Sequence, residues 1–165
     1  MTDNGLKAEI DRFLGSHCRF DGFIDYVPRD GELWLRTDEK APAIPEKKWV
    51  PAYKFSIMLG DERVGGTDLR IGYAEGLYYG GNIGYNILEK HRGKGYAPRA
   101  VKMLAPFLEA HEMTTALITN EIHNSASRRV CEKLHLTFLR QAELPEWTDL
   151  YKSGNRFVNI FKWRL

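Results

Sequence analysis

Arg92-Gly93-Lys94-Gly95-Tyr96-Ala97 is the stretch on which the reading of this chain turns. It lies between a strand-like run ending near Leu88 and a helical period beginning near Ala97. A helix N-terminus carries unpaired backbone N–H groups and about half a positive charge. Gly93 and Gly95 let the backbone approach a ligand with no Cβ in the way, and Arg92 and Lys94 add two cations. Together these describe a site for a phosphate or pyrophosphate. The same residues also describe an ordinary glycine-containing turn with solvated charges, and the loop alone does not choose between the two. Two better-known phosphate loops do not fit. G-x-x-x-x-G-K-S/T is absent, and no G-x-G-x-x-G opens a βαβ unit, which disfavours a nicotinamide-dependent Rossmann enzyme.

On the N-terminal side of the loop, the periods are those of strands. Asn82 to Leu88 is one run, and the Gly- and Tyr-rich stretch Gly72 to Gly81 before it reads as a turn region. Tyr53 to Leu59 alternates with period two, Gly60-Asp61-Glu62 turns the chain, and Arg63 to Ile71 resumes an extended pattern in which Gly65 and Gly66 mark a bulge. Short connections of this kind predict antiparallel pairing. Further out, Leu33 to Thr37 is a strand and the Pro42, Pro45 and Pro51 stretch a loop. Leu6, Ile10, Phe13 and Leu14 space an amphipathic helix that Gly15 ends.

On the C-terminal side, Ala97, Val101, Leu104, Ala105 and Leu108 share a helical face, with Pro106 predicting a kink or early end. Thr114 to Thr119 is a strand. Asn124 caps a second helix, with Ala126, Val130 and Leu134 as its apolar face. Thr137 to Leu144 and Arg156 to Trp163 are the last strands. The order predicts a mixed sheet with helices packed on it.

Composition bounds the rest. The 165 residues suit one domain, and 43% hydrophobic with 28% charged is ordinary globular usage. Twenty-four Lys plus Arg against 22 Asp plus Glu gives +2, which does not suggest a nucleic-acid binder. Cys18 and Cys131 cannot build a disulfide framework, so a reducing, cytoplasmic setting is expected. No signal peptide and no membrane-spanning apolar run is visible, and no metal site is expected.

Two blocks resemble one family. Arg92-x-x-Gly95-x-Ala97 is similar to the R/Q-x-x-G-x-G/A signature of the GNAT superfamily of N-acetyltransferases. Asn124-Ser125-Ala126-Ser127, continuing to Glu132-Lys133-Leu134, resembles the family's helix of form N-x-x-S-x-x-x-x-E-K-L. Ile83-Gly84-Tyr85 is similar to a strand of the ribosomal-protein N-terminal acetyltransferase branch. The resemblance covers residues 53–165; residues 1–30 form an N-terminal helical segment without a family mark, and 1–165 is expected to be a single acetyltransferase-like domain.

The resemblance implies an α/β (α+β mixed) fold: a central, mostly antiparallel sheet of about seven strands, helices on both faces, and a V-shaped splay between the fourth and fifth strands. It implies acetyl-coenzyme A as co-substrate in that V. Pyrophosphate would sit on the N–H groups of Gly93, Lys94, Gly95, Tyr96 and Ala97, beside Arg92. The pantetheine arm would pair like a strand with Tyr85, Asn86 and Ile87, and Asn124 would reach its amide. The reaction would be direct attack of a primary amine on the thioester in a ternary complex, the acceptor being a small molecule or a protein N-terminus. A homodimer is compatible with the sequence; a nucleic-acid or membrane partner is not expected.

The usual acid and base positions are altered. Where many members place a Tyr that protonates the leaving thiolate, this chain has Cys131, whose thiol pKa of about 8.5 permits donation but whose position also suits core packing. Where the branch often has a Glu, this chain has Asn82, able to orient a water but not to act as a base. His123, Glu121 and Glu75 are replacement candidates. Trp49, Tyr53, Tyr78, Tyr79, Trp147 and Tyr151 crowd the expected acceptor side, where a Tyr-rich pocket would suit a cationic amine. The altered positions keep two alternatives open: a non-catalytic coenzyme A-binding module, and a binder of another phosphate ligand.

Overall fold

Pairing of the strands is antiparallel throughout, yet the strands fall into two sheets rather than one. In the computed structural model, which describes residues 3–165, the first sheet runs in chain order: β1 (Arg29–Asp30), β2 (Leu33–Ala41), β3 (Ala52–Leu59), β4 (Glu62–Arg70) and β5 (Ile83–Ile87). The second has the order β6 (Thr115–Glu121), β8 (Phe157–Arg164), β7 (Thr137–Glu143). The expected meander is β3–β4–β5, and the expected bulge falls on β4, where Ile57 pairs with Gly65 and Met58 with Arg63, leaving Val64 extra. Gly65 is required there by close approach: a Cβ would lie 2.2 Å from the Asn86 carbonyl oxygen of β5.

Helices cover the sheets from both sides. α3 (Tyr96–Lys102) and α4 (Ala105–Ala110) bury Val101, Leu104 and Phe107 against Leu33, Tyr53, Ile57 and Leu69 of the first sheet. The chain breaks between them at Met103 and Leu104, and Pro106 falls in the first turn of α4, where a missing N–H costs nothing. α1 (Asp3–Leu14) and α2 (Glu75–Gly80) build a second core on the other side of β6–β8–β7, with Phe13, Tyr78, Leu117, Leu144, Val158 and Ile160. Glu9 ties α1 to β7. Its carboxylate accepts from Arg140 Nε and Nη2, both at 3.1 Å, and from the Tyr78 hydroxyl.

Here the structure corrects the sequence reading. Residues 72–81 contain a helix, not only a turn, and it forms because Tyr78 and Tyr79 are buried in the second core. Tyr53 is likewise core, its hydroxyl accepting from the Ile24 N–H at 2.8 Å and bonded to His111 Nε2 at 2.7 Å. Tyr53 and Tyr78 therefore line no open acceptor pocket, while Tyr79 borders, with Tyr151, a second hollow away from the cleft described below. Trp49 and Trp147 are exposed, and Tyr151 is half-buried under the Arg156 guanidinium, 3.9 Å from its ring centre.

The two sheets meet at a seam between β5 and β6. The Asn82 N–H donates to the Leu117 carbonyl at 2.8 Å, and the Leu117 N–H donates to Asn82 Oδ1 at 2.9 Å. Beyond this point β5 pairs only with β4, and β6 only with β8. The strands start together and separate, leaving a V whose open end lies between the loop after β5 and α5 (Ser125–Lys133), which follows β6. No helix among the described residues is long and apolar enough to cross a membrane.

Candidate active site

The open end of the V is a cleft of about 460 Å³. One wall is the free edge of β5, with Tyr85, Asn86 and Ile87; the floor is Arg92 to Pro98; the opposite wall is α5. Every cofactor residue expected from the sequence lines it: Tyr85, Asn86, Ile87, Arg92, Gly93, Lys94, Gly95, Tyr96, Ala97 and Asn124.

The floor is shaped by two left-handed glycines. Gly93 has φ 78° and Gly95 φ 79°, and a Cβ on either would meet nothing within 4 Å, so the space above the loop is open. No backbone carbonyl among the described residues accepts from the N–H groups of Gly93 to Ala97. The charges around them have one sign. Arg92, Lys94, Arg129 and Lys133 line the cleft, and no carboxylate does. Arg92 Nε also donates to the Ile87 carbonyl at 3.0 Å, fastening the loop to the end of β5. Unpaired donors with a rim of cations fit a ligand bearing several phosphates.

Asn124 caps α5, its Oδ1 accepting from the Ser127 N–H at 3.0 Å. That leaves the Nδ2 donor for a ligand carbonyl at the cleft wall. Of its expected apolar face the helix turns only Leu134 toward the first core. Ala126 is exposed and lines the cleft with Val130, while the buried residue is Cys131. Cys131 is fully buried in the first core and does not reach the cleft. Burial pushes its thiol pKa up, against opposing hydrogen bonds from Asn120 and Tyr85.

Asn82, the other position singled out for acid–base work, is fully buried at the closed end of the V. Its Nδ2 donates to the carbonyls of Gly72 (2.9 Å) and Arg70 (3.2 Å) while Oδ1 holds Leu117. With both N–H groups on backbone, it latches the seam rather than orienting a water. His123 is exposed in the turn before α5, outside the cleft lining; Glu121 and Glu75 are exposed as well.

The group that sequence reasoning overlooked is Ser127. It lines the cleft, with Oγ 2.8 Å from the Tyr85 hydroxyl and accepting from Asn120 Nδ2 at 3.0 Å. Tyr85 also donates to the Ser127 carbonyl at 3.2 Å, and burial raises its hydroxyl well above the ordinary tyrosine range. The signal was the Ser of the Asn124-x-x-Ser127 block, three residues after the cap and hence on the same side of the helix. Arg129 and Lys133, four apart on α5, were likewise unremarked, as was His91, which lines the cleft with Nε2 on Glu62 at 2.7 Å.

Comparison with known proteins agrees with this fold. No curated protein matches the chain. Among solved structures, RimL, a ribosomal L7/L12 alpha-N-protein acetyltransferase in complex with coenzyme A, superposes with a TM-score of 0.62 at 15% identity, covering 85% of this chain and 98% of its own. A ribosomal-protein-S5-alanine acetyltransferase from Vibrio fischeri gives 0.61 at 12% identity, over 85% and 97%. The microcin C7 self-immunity acetyltransferase MccE, in complex with acetyl-CoA and AMP, gives 0.54 at 16%, over 69% and 61%. At these identities the likeness is one of fold. The family model described as the acetyltransferase (GNAT) domain matches residues 14–137, three quarters of the sequence, and the chain thus belongs to the GNAT family of N-acetyltransferases, enzymes whose co-substrate is acetyl-coenzyme A.

Proposed function

We propose that this chain, as one acetyltransferase domain, moves the acetyl group of acetyl-coenzyme A to a primary amine by direct attack in a ternary complex. The observation that carries this reading is the cleft floor: five unpaired N–H groups from Gly93 to Ala97, ringed by cations, at the foot of an unpaired strand edge. Gly93 to Ala97 bind the pyrophosphate, Tyr85 to Ile87 pair with the pantetheine arm, and Asn124 Nδ2 takes its amide carbonyl. A protein N-terminus is the acceptor class favoured by the ribosomal-protein acetyltransferases of like fold. The unpaired cysteines Cys18 and Cys131 suit a cytoplasmic setting.

In the reaction the C–N bond forms, the C–S bond breaks with its electron pair on sulfur, and the nitrogen loses the proton that sulfur gains. Ser127 is the hydroxyl on α5 in the cleft wall able to offer a hydrogen bond to the sulfur as negative charge develops on it. Cys131, buried behind the helix, serves packing instead. The structural use of Asn82 and Cys131 also favours a second reading, a coenzyme A-binding module without turnover. Free-thiol release from acetyl-coenzyme A, measured with and without amines and N-terminal peptides, separates the two. Amine-dependent release is expected; tight coenzyme A binding with no release by any amine supports the module.

A further inference from the structure

Asn120, on β6, has a side chain no part of the proposed reaction uses. It is 4% exposed, and its Nδ2 donates to Ser127 Oγ at 3.0 Å and to Cys131 Sγ at 3.5 Å. Its Oδ1 is buried with no partner. Buried polar atoms are rarely left so, and one that is calls for a reason. As it stands, the two N–H groups meet Ser127 and Cys131 and the atom left over is a carbonyl oxygen, which native structures tolerate better than an orphaned N–H. The oxygen is therefore the atom given up so that the N–H groups face Ser127 and Cys131.

That orientation decides where the Ser127 proton goes. A hydroxyl has one proton and two lone pairs. Asn120 donates into one lone pair, so the Ser127 proton cannot point into the protein toward position 120. The Tyr85 hydroxyl lies 2.8 Å from Ser127 Oγ and 3.2 Å from the Ser127 carbonyl oxygen and also meets the Cys131 thiol, so its one proton has three acceptors, of which Oγ is the nearer oxygen. When Tyr85 donates to Oγ, both lone pairs are filled by donors, and the Ser127 O–H is left to point at whatever occupies the cleft.

We propose that Asn120 is the positioning residue that aims the Ser127 hydroxyl out of the protein and into the cleft as a hydrogen-bond donor. This rests on acetyl transfer with Ser127 as donor to the thiolate. An acceptor-only group at position 120 would reverse the arrangement and draw the Ser127 proton inward.

The test is steady-state kinetics with acetyl-coenzyme A and an accepted amine, on the full chain, for Ser127→Ala, Asn120→Leu, their double variant and Asn120→Asp. Coenzyme A affinity is measured alongside by calorimetry. Asn120→Leu is expected to lower kcat about tenfold with coenzyme A affinity unchanged, and the double variant to be no slower than Ser127→Ala alone, since the two act through one hydroxyl. Asn120→Asp, near-isosteric and the safer variant for folding, adds a pH readout. Its carboxylate accepts from Ser127, whereas its protonated form can donate. The kcat ratio of Asn120→Asp to the unchanged protein is therefore expected to rise as pH falls. The other titratable groups around the cluster, Tyr85 from β5 and Cys131 from α5, are both pushed up by burial and stay protonated across that range. Equal fold-losses from Asn120→Leu with and without Ser127, or a flat pH ratio, would overturn the positioning role alone. A full kcat for Ser127→Ala would remove Ser127 as the donor, and absence of turnover in the unchanged protein would remove the acetyl-transfer reading; either takes the inference with it.

Discussion

Replacing Asn82 with Ala separates a latch from a catalytic residue. In the folded chain, the side chain holds two backbone groups across the seam and its neighbourhood, the Leu117 N–H at 2.9 Å and the Gly72 carbonyl at 2.9 Å, and reaches the Arg70 carbonyl at 3.2 Å. Position 82 is fully buried, so water does not replace what is lost. Leaving a buried donor or acceptor unpaired costs about 1–3 kcal/mol each. The Leu117 N–H and the Gly72 carbonyl alone bring the expected loss to about 2–6 kcal/mol, a large share of the roughly 5–15 kcal/mol by which domains are stable. Urea unfolding is the assay, read as a shift of midpoint at unchanged slope. Coenzyme A affinity should also fall, because β5 and β6 lose one of the two hydrogen bonds that set the opening of the V and keep only the Asn82 N–H to Leu117 carbonyl bond. If Asn82 instead orients a catalytic water, the loss appears in kcat of protein that is as stable as the original. A stability loss below about 1 kcal/mol would refute the latch.

Three further outcomes follow from the same geometry. Gly95→Val places a β-branched residue at φ 79°, a left-handed conformation costing about 1–2 kcal/mol for an L-residue, and should weaken coenzyme A binding at least about tenfold by calorimetry. Lys94→Ala should weaken binding mainly at low salt, since its charge acts through solvent, whereas Arg92→Ala should cost affinity at both ionic strengths because Arg92 also holds the Ile87 carbonyl; titrations at two salt concentrations distinguish them. Burial raises the Glu9 pKa, but Arg140 and the Tyr78 hydroxyl outweigh it and hold the carboxyl below its ordinary value. Its stabilising contribution is thus present above the unfolded value of about 4.3 and is lost as pH falls through the folded one, so the melting-temperature gap between the unchanged protein and Glu9→Gln should close in acid.

How far the sequence could be read depended on whether a residue's role was local. The Arg92 loop and the Asn124 cap depend on backbone conformation and neighbours within a few residues, and each stands where its pattern put it; the helix break expected at Pro106 falls two to three residues earlier, at Met103 and Leu104. α2 did not announce itself, because Gly76, Gly80 and Gly81 lower helix propensity and only tertiary burial of Tyr78 and Tyr79 repays the difference. The strand order β6–β8–β7 is also non-local, since β8 inserts between two strands that precede it in the chain. The face of α5 was misread for a more instructive reason. Ala126 and Val130 are apolar at helical spacing, as core residues are, yet they border the cleft. Periodicity records that a face avoids water; it does not record whether protein or ligand covers it.

The same distinction bears on the chemistry. The two positions at which the family resemblance leads one to look for an acid and a base, Cys131 and Asn82, are both consumed by structure, one in the core and one in the seam. Besides His91, which is bonded to Glu62, and Tyr96 on the floor, the cleft offers the cluster on the β5 and α5 sides, Tyr85 and Ser127. Burial holds Tyr85 protonated, so it has a proton to give to Ser127 Oγ, 2.8 Å away. Ser127 is a weak acid, and no neighbouring cation or carboxylate bonds to it to change that. Its contribution is therefore a hydrogen bond offered where negative charge develops on sulfur, with the larger share of the rate coming from holding the thioester against the strand edge and the amine beside it. A cleft of this kind needs a rigid hydroxyl more than an acidic one. Tyr85 on β5, Asn120 on β6 and Asn124 at the cap of its own helix hold the Ser127 side chain and N–H, each within 3.0 Å.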